Sequence, residues 1–178
     1  KLSTIPIIFG YVNRINGDLY NSAAVCYNGE LGYSYNKKLL PNYDIFDEKR
    51  YFKSGFDSGV FQINYNKLKI NIGLQICEDL WDESYSTKIS ENQKKEGAEV
   101  IINISASPFC IDKLTKRIEL IKNKVKTLSI PFIYCNMVGA QDEIIFDGSS
   151  LAYSKYGKLI KQGKYFDECV MVVDFKKN

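Results

Sequence analysis

The sequence predicts a mixed α/β layered fold, and three observations predict it. From 68 to 76, Leu68, Ile70, Ile72, Leu74 and Ile76 alternate with Lys69, Asn71, Gly73 and Gln75, the period of a strand with one buried face. Two short apolar runs, 100–104 and 132–135, read as strands buried on both faces, and helical patterns separate the three segments. Upstream, Asn-Gly pairs at 16–17 and 28–29 punctuate a strand meander. A meander, then strand–helix–strand–helix–strand, then a hairpin, is a layered α/β arrangement, and the 178 residues fit a single domain, 1–178.

The elements follow in order. Residues 5–9 predict a strand ending at Gly10, 19–27 a second and 31–35 a third. The segment from Pro41 to Gly59 loses all period and becomes a long loop rich in aromatic and charged residues, a class of loop that is usually functional. Strands at 60–64 and 68–76 flank a turn at 65–67. Ser84 is placed to cap a helix over 84–96 that Gly97 closes. Asp112 is placed to cap a second helix, whose Leu114, Ile118, Ile121, Val125 and Leu128 share one face, and Pro131 stops it. The stretch from Asn136 to Ser150 reads as a loop, 151–153 and 158–160 as a hairpin, and 170–175 as a closing strand.

Composition excludes several functions. The net charge of +3 disperses 24 basic among 21 acidic residues, which gives no case for nucleic acid. No apolar run approaches the ~20 residues of a membrane helix, and 1–10 reads as a strand rather than a signal peptide. Five cysteines (Cys26, Cys77, Cys110, Cys135, Cys169) are widely spaced with no C-x-x-C pair, which predicts reduced thiols and a cytoplasmic location. The chain has no histidine, so no Ser-His-Asp triad, Cys-His dyad or histidine metal site can be built from it.

In layered α/β folds ligands sit beyond the C-terminal ends of the central strands. Those ends are Cys77, residues 104–107 and Asn136. Cys77 follows a strand directly and precedes Glu78 and Asp79, so it is a candidate nucleophile. Without histidine its partners must be carboxylates and a lysine. Lys37 and Lys38 both end a strand before the long loop, and spacing does not separate them. Asp47, Glu48, Glu78 and Asp79 are the candidate carboxylates.

Four blocks occur in order: Y-N-K-K-L-L-P-N-Y-D-I-F-D-E-K-R-Y-F, I-C-E-D-L-W, N-I-S-A-S-P-F and N-M-V-G-A-Q-D-E-I-I-F-D-G-S-S. Together they resemble the carbon–nitrogen hydrolase (nitrilase) superfamily, and within it the glutaminase domains of glutamine-dependent NAD synthetases. The resemblance runs from about Ile5 to Phe166. It implies an α-β-β-α sandwich, here incomplete at its N-terminal side, and a Glu–Lys–Cys triad. Cys77 matches the nucleophile and Lys37 the catalytic lysine, while Glu48 is assigned as a supporting glutamate. Tyr43, Ser107 and Lys113 match glutamine-binding positions. Glu78 joins that set, with a backbone N–H beside it for the oxyanion.

The family's glutamate base precedes what is visible here, and no S-G-G-x-D-S phosphate loop appears. The resemblance therefore implies a piece of a longer enzyme. Ammonia from glutamine would pass to a synthetase domain that needs ATP and Mg and converts deamido-NAD to NAD; this domain itself needs no cofactor. It also implies a homo-oligomer. The alternatives are another amidase or carbamoylase of the superfamily, or a silent domain kept as an assembly surface.

Overall fold

The computed structural model describes residues 5–65 and 67–175. Three antiparallel strands open it: β1 (Ile7–Ile15), β2 (Asp18–Tyr27) and β3 (Glu30–Asn36), in the order β1-β2-β3. The two Asn-Gly pairs close these hairpins with all four residues at positive φ, the left-handed backbone that a tight two-residue turn requires. β1 runs through Gly10 rather than ending there, because Gly10 to Ile15 keep pairing with β2 as far as Asp18. The strand starts at Ile7, two residues after its predicted start at Ile5; Lys1–Thr4 and Asn66, the middle of the predicted 65–67 turn, lie outside the described residues.

A six-stranded sheet follows. β4 (Val60–Tyr65) and β5 (Leu68–Ile76) are antiparallel; β6 (Val100–Ser105) and β7 (Phe132–Asn136) continue parallel to β5. The helices α1 (Ile89–Lys95) and α2 (Lys113–Leu128) make the crossovers. The stretch from Asn136 to Ser150, expected as a loop, contains a hairpin of β8 (Val138–Gln141) and β9 (Ile144–Asp147). Its four-residue strands are too short for the alternation to stand out. β10 (Leu151–Tyr153) and β11 (Leu159–Gln162) complete the sheet in the order β11-β10-β7-β6-β5-β4.

Two apolar cores separate three layers. Leu120, Ile121, Val125 and Leu128 of α2 pack against Ile101, Phe132, Tyr134, Leu151 and Tyr153 of the large sheet. On the sheet's other face, Leu74 and Ile76 meet Ala23, Val25 and Tyr35 of the small sheet, with Tyr33 stacked on Phe61 at 4.7 Å between ring centres. The described residues thus supply one helical layer and both sheets of the α-β-β-α sandwich. Among them, no helix covers the far side of the small sheet.

Three local expectations are corrected. Ser84 caps no helix: two 3-10 turns, Cys77–Leu80 and Asp82–Ser84, intervene, and Asp82 Oδ2 instead accepts the N–H of Ile89 at 2.7 Å. Asp112 occupies the cap position of α2 but in the left-handed region, with no side-chain capping bond. Residues 170–175 form no strand; Val170 and Val172 are 94% and 78% exposed, so strand-prone residues find no sheet edge to pair with.

Candidate active site

The site begins where β5 stops. Asp79 is fully buried, and its Oδ2 accepts the N–H of Ile76 at 3.0 Å, which bends the chain into a turn at Cys77. Cys77 adopts φ 44°, left-handed for a side-chain-bearing residue and a strained geometry that recurs at functional sites. The other Asp79 contacts tie this turn to β3 and the start of the long loop. Oδ2 also accepts from Tyr35 Oη (2.8 Å), and Oδ1 from the N–H groups of Leu39 (2.9 Å) and Lys38 (3.2 Å).

That connection separates the two lysines. Lys37 continues the β3 ladder, its N–H donating to Asn21 O at 2.8 Å, and its side chain is buried at 1% exposure while Lys38 is half-buried. Lys37 Nζ lies 2.5 Å from Glu48 Oε1, and Asn21 Nδ2 donates to Glu48 Oε2 at 3.3 Å. Glu48 is delivered by a 3-10 turn, Glu48–Arg50, in the long loop, whose backbone is pinned by Glu48 N–H to Pro41 O and Lys53 N–H to Leu19 O.

The parallel registers place Ile76 beside Ile104 and Ile104 beside Cys135. The three strand ends therefore meet, as the topology predicts. Cys77, Lys37, Glu48, Asn21, Ser105 and Asn136 line a cavity of about 560 Å³. Burial pushes the Cys77 thiol up; the Lys37 ammonium pulls it down, and the Glu78 and Glu48 carboxylates push it up again.

Cys77 also lines a second cavity, of about 420 Å³, and the remaining sequence-assigned residues are there: Tyr43, Glu78, Ser107 and Lys113. Glu78 is buried, and Tyr43 Oη donates to both of its oxygens at 2.9 and 3.0 Å. Burial, then the hydrogen bond to Glu78, pushes the Tyr43 hydroxyl well up, so it stays a donor. Lys113 Nζ lies 4.1 Å over the Trp81 ring, a cation–π contact at the first turn of α2. Other hollows, including one of about 900 Å³ beside the β8–β9 hairpin, contain neither Cys77 nor Lys37.

Beneath Ser107 lies a buried polar network that patterning did not reveal. Arg117 and Asp147 are fully buried and paired through two bonds of 3.1 and 3.2 Å, and Arg117 also donates to Ser107 Oγ at 3.3 Å. Asn136 Oδ1 accepts the Ser107 N–H (3.0 Å), and its Nδ2 donates to Asp147 (3.2 Å) and to Gly148 O (3.0 Å). The other residues missed in sequence are Asn21, Ser105 and Tyr85; Tyr85 donates to Glu78 Oε1 at 2.9 Å. Arg117 offered one signal, since it stands three residues after Leu114 and four before Ile121, the spacing of one helix face. Among the described residues no cluster of three metal-ligating side chains occurs.

Known proteins are similar to this chain in sequence and fold. A glutamine-dependent NAD(+) synthetase of Thermotoga maritima is 38% identical over 173 residues, 96% of this chain and 28% of that protein. The Aquifex aeolicus protein of the same name is 37% identical over 156 residues, covering 88% of this chain and 26% of its own length. The solved structure of glutamine-dependent NAD+ synthetase from Acinetobacter baumannii, in complex with ADP, superposes with a TM-score of 0.84 at 34% identity, over 93% of this chain and 30% of that one. A carbon-nitrogen hydrolase from Helicobacter pylori shares the fold at 24% identity, with a TM-score of 0.78 over 93% of this chain and 60% of its own. The chain thus spans under a third of the length of the synthetases it matches. The family model for carbon-nitrogen hydrolases matches residues 3–178. With that match over nearly its whole length, the chain belongs to the carbon–nitrogen hydrolase family.

Proposed function

We propose that this chain is the glutaminase part of a glutamine-dependent NAD synthetase, releasing ammonia from the side-chain amide of glutamine. The observation that carries the reading is the position of Cys77 between two cavities, one with Lys37 and Glu48, the other with Glu78 and Lys113. The second cavity holds a buried carboxylate without a basic partner and a lysine without an acidic one, among the described residues. That pair suits the α-ammonium and α-carboxylate of an amino acid, whose side-chain amide would extend along the same cavity toward Cys77.

In this reading the Cys77 thiol loses its proton to a base, and its sulfur attacks the amide carbon of glutamine. The oxygen becomes an oxyanion, stabilised by the Lys37 ammonium and a backbone N–H near Glu78. The carbon–nitrogen bond then breaks as the base returns the proton to nitrogen, ammonia leaves, and a thioester to Cys77 remains. Water, deprotonated by the same base, opens the thioester and glutamate departs. Family resemblance gives the base role to a glutamate upstream of β1. Both Glu48 oxygens are engaged, by Lys37 and Asn21, so Glu48 acts by holding the lysine.

Ammonia would serve a synthetase region of the same enzyme, which would use ATP and Mg to convert deamido-NAD to NAD. We further propose cytoplasmic location and a homo-oligomeric state, on the resemblance. The test is Cys77→Ala in the intact enzyme. Glutamine-dependent NAD synthesis should be lost and ammonia-dependent synthesis retained; equal loss of both overturns the assignment. Rates of ammonia release from glutamine, asparagine and simple aliphatic amides separate this reading from that of a general amidase.

A further inference from the structure

Glu78 is held by two tyrosines from different segments. Tyr43 belongs to the long loop and lines the second cavity; Tyr85 follows the 3-10 turn Asp82–Ser84 and stands outside that lining. Tyr85 Oη donates to Glu78 Oε1 at 2.9 Å, and the same oxygen accepts from Tyr43 Oη at 3.0 Å. Burial, then the bond to Glu78, pushes the Tyr85 hydroxyl up to about 12, so it is a donor at any working pH.

Tyr85 is itself well anchored, although its segment has no regular structure. Its N–H donates to Asp82 O at 3.1 Å. The buried Asp82 carboxylate pairs with Lys124 of α2 at 2.6 Å and caps Ile89 of α1 at 2.7 Å, and Lys88 Nζ ties the carbonyls of Asp82 (2.9 Å) and Glu83 (2.7 Å). A buried ion pair between the 3-10 turn and α2 thus fixes the backbone that carries the Tyr85 hydroxyl to Glu78. Tyr85 is only half-buried and belongs to neither apolar core, so the contact its hydroxyl makes is not a by-product of core packing.

A carboxylate on a flexible side chain recognises a cation well only when its orientation is fixed in advance. We propose that Tyr85 is a positioning residue for substrate selection: with Tyr43 it fixes the Glu78 carboxylate as the acceptor for the substrate's α-ammonium. The selected class is amides that carry an α-amino group. The inference rests on the glutaminase reading, and the experiment separates the two.

The readout is the ratio of kcat/KM for glutamine to kcat/KM for 4-carbamoylbutanoate, which is glutamine without its α-amino group, measured on the intact enzyme. Tyr85→Phe keeps the ring and removes the hydroxyl. It should lower the ratio about five- to tenfold, just under the range for outright loss of a hydrogen bond to a charged group, because Tyr43 still holds the carboxylate. The loss should appear mainly in KM for glutamine. Glu78→Gln should lower the ratio further, and adding Tyr85→Phe to Glu78→Gln should lower it no more. An equal fall on both amides in Tyr85→Phe, or full additivity in the double variant, overturns the role of Tyr85. A wild-type enzyme that does not prefer glutamine over 4-carbamoylbutanoate overturns the glutaminase reading itself, and the inference with it.

Discussion

Lys37 Nζ sits 2.5 Å from Glu48 Oε1 at the wall of the cavity that Cys77 enters. The pair makes opposite contributions to the thiol: the lysine lowers its pKa and the glutamate raises it, against a larger upward push from burial. Alkylation of Cys77 by iodoacetamide should therefore have a midpoint above the ordinary thiol range. Lys37→Met should move that midpoint further up, and Glu48→Gln should move it down. Both variants should lose turnover, Lys37→Met by about 10²–10³-fold, the effect of removing one oxyanion donor. Midpoints that shift in the same direction in both variants would contradict the arrangement.

Asp79 gathers four donors from three segments: Ile76 N–H, Tyr35 Oη, and the N–H groups of Lys38 and Leu39. Asparagine offers one acceptor oxygen and turns an NH₂ group toward the donors that remain. Asp79→Asn should cost about 2–4 kcal/mol, as buried donors are left unmatched. Urea unfolding checks the stability. Cys77 alkylation in native buffer checks the turn, and should become slower as the left-handed conformation loses its tether.

These two sites mark what was legible in the sequence. The alternation at 68–76 predicts β5 to the residue and delivers Cys77 to its end, because one face is buried and the period is two. The Asn-Gly turns are equally legible, since few residues tolerate two successive positive φ angles. The choice of Lys37 over Lys38 is not local. It depends on a ladder that runs one residue past Asn36 and on a glutamate from the next loop. Arg117 and Lys124 are charged residues of a helix, yet both are buried, each against a partner distant in sequence: Asp147 and Asp82 lie 30 and 42 residues away. A pattern within one helix carries no record of such a partner.

The Arg117–Asp147 pair makes its own test. With both side chains fully buried, Arg117→Met strands a carboxylate and should cost about 3–5 kcal/mol. Adding Asp147→Asn should restore part of that loss rather than add to it, because the uncompensated charge is gone. In both variants Ser107 Oγ loses the donation from Arg117, so KM for glutamine should rise even where stability returns. Urea unfolding and steady-state kinetics on the same preparations separate the two effects. Full recovery of KM in the double variant would show that Arg117 serves the fold alone.

Two glycines distinguish fold from site by geometry. Gly17 has φ 92° in the β1–β2 turn with open space around it, so Gly17→Ala should cost about 1 kcal/mol through the backbone and leave kcat untouched. Gly55 is different. Its N–H donates to Lys37 O at 2.8 Å, and a Cβ there would overlap the carbonyl oxygen of Asn36. Asn36 cannot yield easily: it is paired with Ser22, and the next residue donates to Asn21 O. The loop must move instead, releasing Lys37 O and disturbing the chain between Lys37 and Glu48. Gly55→Ala should cost about 1–3 kcal/mol, the usual range for overpacking, and also lower kcat for glutamine. Melting temperature and kcat measured on both variants decide the matter: if Gly55→Ala loses stability but no turnover, the close approach at Asn36 supports the fold and not the lysine.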